Sequence, residues 1–93
     1  MATEVNDVVS VVTTVGEFIG KFVKENTHVV ILKDPRMVVH GSTGMGFARG
    51  LSMASGEEAD ECTFYTTNVV FIAEAHKDVV TAYREFTSGL ILK

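Results

Sequence analysis

The chain has 93 residues, 46% of them apolar and 22% charged, with a formal net charge of −4, which bounds it to one small acidic domain, residues 1–93. Eight Lys plus Arg against twelve acids exclude a strongly basic surface and the sequence-independent hold on phosphate that such a surface gives. The single Cys62 excludes an internal disulfide and a cysteine-based zinc site, and no apolar stretch approaches the ~20 residues of a membrane span.

The amino-terminal MATEVND is acidic and lacks the basic and apolar regions of a signal peptide. With one cysteine, this predicts a soluble cytoplasmic protein with no membrane partner. A chain of this size buries only about 60% of its unfolded surface. So large an apolar share predicts further burial between identical copies.

In chain order, the first strand is expected over Val8–Thr14, turning at Val15-Gly16, and the second over Glu17–Lys24. Phe18, Gly20 and Phe22 share one face of the second strand, and Gly20 leaves room for a sharp bend. A turn over Glu25–His28 leads to a third strand, Val29–Lys33, followed by a long excursion, Asp34–Asp60. That excursion reads as an inserted hairpin with arms Met37–Gly41 and Phe47–Ala54 and its tip at Ser42–Gly46. Strands four and five, Glu61–Thr66 and Val69–Ala75, are expected to form a tight hairpin through Thr67-Asn68. The tail from Lys77 predicts a helix: Asp78 sits in its first turn, Val79, Val80, Tyr83 and Phe86 recur at helical spacing, and Gly89 is a C′ residue.

Two of the strand segments also fit a helical period. Seven of the eight residues from Val8 to Val15 are β-branched, however, and Gly16 and Gly20 would fall inside the helix. Thr63, Thr66, Thr67, Val69 and Val70 crowd the second segment in the same way. Both segments are therefore read as strands.

Three segments carry a resemblance: GEFIGKF at 16–22, ENTHVVILKDP at 25–35 and TFYTTNVVFI at 63–72. With Gly16, Gly20, Glu25 and Asp34 at its turns and bend, this arrangement resembles the Sm-like (LSm) family over about half of the chain. The resemblance implies a mainly β fold, a strongly bent five-stranded open barrel, here with an inserted hairpin between strands three and four and a C-terminal helix. It also implies a homo-oligomeric ring of five to seven subunits, in which the fourth strand of one copy pairs with the fifth of the next. Single-stranded RNA would lie at the pore face, on Glu25, Asn26 and His28 of one turn and Tyr65, Thr66 and Asn68 of the other.

The chain departs from the family at three points. His28 and Val29 stand where the family has an Asn that reads uracil, Thr66-Thr67 replaces its Arg-Gly pair, and the family's amino-terminal helix has almost no room before Val8. His28 or Tyr65 can stack on bases, but Val29 and Thr67 cannot supply polar readout. The alternative reading is a scaffold or protein-interaction ring without RNA binding, which the acidic charge favours.

The other conspicuous residues are read blandly. Lys21, Lys24, Lys33 and Arg36 are solvated strand-edge residues. The run HGSTGMGFARG at 40–50 has no Lys-Ser/Thr pair, so a phosphate loop at Gly41–Gly46 is a weak third reading, to be tested by nucleotide shifts of the melting temperature. Glu57, Glu58, Asp60 and Glu61 form a solvated acidic loop, Glu74 and His76 a surface pair on one strand face, and Cys62 a small core residue. No catalytic set, metal site or cofactor is expected, and the protein is read as a non-enzyme.

Overall fold

The β-branched run at the start of the chain forms β1, Val8–Thr13, in a computed structural model that describes residues 3–42, 44–48 and 61–87. Thr13 organises the turn that follows: its hydroxyl donates to the Gly16 carbonyl at 2.9 Å and accepts from the Val15 N–H at 3.1 Å. Gly16 has φ +150°, a backbone conformation that L side chains rarely adopt, so the turn needs a glycine. From it runs β2, Gly16–Glu25, antiparallel to β1.

The third strand, β3, spans Val29–Gly41 and pairs with β2 along one edge. Its other edge holds two strands end to end. β5, Glu61–Tyr65, pairs with Val29–Lys33, whereas β4, Gly44–Ala48, pairs with Met37–Gly41. Pro35 falls between the two paired stretches, where its missing N–H removes no ladder bond on that edge. After β5, a 3₁₀ turn over Thr66–Asn68 leads to β6, Val69–Glu74, which pairs with β1. The order is β4-β3-β2-β1-β6, with β5 also on β3, so the sheet is open and wholly antiparallel.

A bulge between β2 and β3 curls it. Ile19 pairs with Arg36 and Lys21 with Lys33, so Gly20 alone opposes Asp34 and Pro35, and Asp34 takes φ +57°. Such a bulge bends the strand pair. A Cβ on Gly20 would meet the Leu32 Cβ and the Lys33 carbonyl at 3.1 Å each, so the missing side chain permits the close approach. Phe18 on β2 and Phe64 on β5 are two strands apart, ~10 Å in a flat sheet. Their ring centroids lie 5.1 Å apart, as curling requires.

The alternation of β1 divides the core. Val9, Val11, Phe22, Val30 and Leu32 form a cluster on the concave side, with Phe64, Val69 and Ile72 packed against it. Val8, next along the chain, belongs to a second cluster with Ile19, Val38 and Tyr83. The helix α1, Lys77–Thr87, brings Val79, Val80 and Tyr83 to that second cluster. His76 opens the helix, its Nδ1 accepting from the Asp78 N–H at 3.2 Å.

One polar node joins helix and bulge. The Tyr83 hydroxyl donates to the Asp34 carbonyl at 2.5 Å, and the Arg36 guanidinium pairs with the Asp34 carboxylate at 3.0 Å. Arg36 also donates to the Pro35 carbonyl at 2.8 Å and lies 5.7 Å from the centre of the Phe86 ring, a cation–π contact. Burial, and after it the Asp34 charge, push the Tyr83 phenol well above its ordinary range, while Arg36 and Arg84 oppose the shift.

Several expectations are corrected. Asp34-Pro35 does not end the third strand, because the bulge absorbs both residues and β3 runs on into the hairpin. The hairpin tip is shorter than expected, since Gly44–Gly46 already belong to β4. The strands flanking Thr66–Asn68 do not pair with each other, because each finds its partner elsewhere in the curled sheet. Arg36 is 4% exposed and belongs to the helix node, not to a solvated edge. β6 ends at Glu74, so His76 caps a helix and shares no strand face with it. The expected arm beyond Ala48, Glu57, Glu58, Asp60 and the C′ role of Gly89 lie outside the described residues.

Candidate nucleic-acid interface

All six residues singled out for RNA lie at one end of the sheet, where three turns are tied together. The Thr66 backbone N–H donates to the His28 carbonyl at 2.9 Å, and the Thr66 hydroxyl donates to the Thr27 carbonyl at 2.8 Å. The Thr14 N–H donates to the Asn68 carbonyl at 3.0 Å, which adds the β1–β2 turn. The Thr66–Thr27 bond joins positions 39 residues apart in the chain, and the three bonds together hold the turns as one surface.

Within this surface the six residues divide by role. Asn26 builds its own turn: its Oδ1 accepts from the His28 and Val29 N–H groups at 2.7 and 3.0 Å, and its backbone N–H donates to the Val29 carbonyl at 2.9 Å. Thr66 is the tie between turns, and Asn68 anchors the third through its carbonyl. His28 and Tyr65 are exposed, Tyr65 by 61%, and present rings to solvent. Glu25 ends β2 with an exposed side chain, and its carboxylate meets no hydrogen-bond or ion-pair partner among the described residues.

Beside these turns lies an open cleft of about 350 Å³, lined by Thr3, Glu25, Thr66, Val69, Phe71 and Ile72. Glu25 and Thr66 are among the six expected contacts, and the four others are not. The outer position of β6, unpaired on one side among the described residues, leaves Phe71 54% exposed and Val70 63% exposed and reveals that wall. A second cleft of about 230 Å³, bounded by Asp7, Glu74 and Arg84, runs between α1 and the β1–β6 pair.

Elsewhere the chemistry is modest. Gly41, Gly44 and Gly46 are members of the β3–β4 ladder, not of a loop leading into a helix. No group of three His, Cys, Asp or Glu among the described residues could hold a metal ion. Cys62 is half-buried on β5, and burial pushes its thiol up, away from the reactive thiolate. Lys21 and Lys33 face each other across the β2–β3 pair. No described helix is long and apolar enough to cross a membrane. Comparison with known proteins finds no family model that matches the chain and no curated protein that matches its sequence.

Proposed function

We propose that this chain is a divergent Sm-like subunit that forms a homo-oligomeric ring of five to seven copies and takes single-stranded RNA on the surface of the 25–28 and 65–68 turns. One observation carries the reading. With the β3–β4 hairpin set aside as an insertion, the strands run β5-β3-β2-β1-β6, and among the described residues both outer strands have an unpaired edge. In Sm-like rings the fourth strand of one subunit pairs with the fifth of the next, and here those strands are β5 and β6. Such pairing would satisfy the open backbone groups of both edges and cover Val70 and Phe71. Exposed His28 and Tyr65 on the joined turns supply stacking surfaces for unpaired bases.

Light scattering of the 10.1 kDa chain tests the ring, with about 50 to 70 kDa expected for five to seven copies. A monomer in dilute buffer overturns it. Fluorescence polarisation with oligo-U and oligo-A at two salt concentrations tests the RNA reading, which fails if no affinity tighter than ~100 μM appears at low salt. A ring that forms without binding RNA is then a scaffold for other proteins, the reading that the net charge of −4 and the absent Asn and Arg-Gly positions favour.

A further inference from the structure

We propose that the cleft beside the 25–28 turn is a guanine-selective base pocket, in which the Glu25 carboxylate takes the N1–H and N2–H donors of the base. The proposal rests on the RNA reading above and names the base that the surface selects. It follows from which hydrogen-bonding groups the fold leaves free in the cleft. A carboxylate only accepts, and that of Glu25 is engaged with no described residue. Thr66 lines the same cleft, but its hydroxyl hydrogen is directed at the Thr27 carbonyl, so it offers the cleft a lone pair. Two acceptors therefore stand on this wall, from residues far apart in the chain.

The four bases answer differently to such a wall. Guanine presents two adjacent donors on its Watson–Crick edge, which a carboxylate takes as a pair. Uracil presents one donor between two carbonyl oxygens, both of which would meet acceptors here. Adenine and cytosine each present one amino group next to an acceptor nitrogen. Base-edge recognition in unpaired RNA works through such patterns. The remaining lining suits a base plane: Val69 and Ile72 are half-buried aliphatic residues. The volume, about 350 Å³, falls within the range of small-ligand sites.

Fluorescence polarisation with labelled ribohexamers tests this on the full chain. The probes are all-uridine and the same strand with one central guanosine, inosine or adenosine. The guanosine strand should bind ~10-fold tighter than all-uridine, adenosine should gain nothing, and inosine, which lacks the N2 amine, should fall between. In Glu25→Gln the guanosine-to-uridine ratio should drop to about one, because the amide sets a donor against a donor. Glu25 is exposed at a strand end, and an unchanged melting curve will show that the variant folds. A uridine strand that binds with no guanosine advantage overturns this proposal and leaves RNA binding standing. So does a preference that survives Glu25→Gln, or inosine binding equal to guanosine. Failure of every hexamer to bind overturns both readings.

Discussion

The α1 side of the sheet and its turn end both carry charged and aromatic side chains, yet they use them in opposite ways. At the helix node, Asp34, Arg36 and Tyr83 turn toward one another, and Arg36 and Tyr83 are buried. At the turn end, backbone groups, Asn26 and Thr66 do the structural bonding and leave Glu25, His28 and Tyr65 exposed. Residue type alone therefore does not mark a site. A charged or aromatic side chain is free to bind something else only where neighbouring groups already satisfy the local backbone.

That contrast predicts a gradient of stability effects. Asp34→Ala should be the most damaging, because it leaves the buried Arg36 guanidinium without its counter-charge. A loss of about 3 kcal/mol in urea unfolding is expected, at the low end of the range for broken buried pairs because Asp34 itself is partly exposed. A loss below ~1 kcal/mol would place the node on a par with a surface pair. Gly20→Ala should cost about 2 kcal/mol, since a methyl there presses on backbone and on Leu32 at 3.1 Å. Full stability in that variant would mean that the bulge does not need its glycine.

Tyr83→Phe should cost about 1 kcal/mol by removing the donor to the Asp34 carbonyl. It also carries a pH signature. The folded phenol titrates above its unfolded value, so its stabilisation is complete below pH ~10 and declines as pH rises from there toward the folded value. The alkaline decline should be shallower in Tyr83→Phe than in the parent, and matching profiles would remove Tyr83 as its source.

The turn end should behave in the reverse sense. Tyr65→Ala should change stability by less than ~0.5 kcal/mol, as for exposed positions generally. Its RNA affinity should nevertheless fall by about 5-fold or more, the value of one lost stacking platform. Polarisation and urea unfolding on one sample separate the two effects. A variant that unfolds easily but binds normally would erase the difference between the regions.

Much of the local architecture was legible along the chain. The β-branched run at Val8–Thr13, the glycine at position 16 and the Glu25–His28 turn read directly as strand, turn and strand, because side-chain crowding and backbone freedom act within a few residues. The spacing of Val79, Val80, Tyr83 and Phe86 announced α1 for the same reason. The candidate surface was legible only as separate turns. Thr66 was singled out as a contact, whereas the fold makes it the tie between two turns.

The amino-acid sequence by itself determined the strand character of the chain, its turns at Gly16 and at Glu25–His28, and the apolar face of its helix. Only the tertiary structure decided that β5 joins β3 and not β6, that Arg36 is buried under the helix, and that Phe71 stands beside Glu25 in a cleft. The physical reason is range. Propensity and periodicity act over neighbouring residues, but the partner of a strand edge and the burial of a long side chain depend on segments brought together by the curl of the whole sheet.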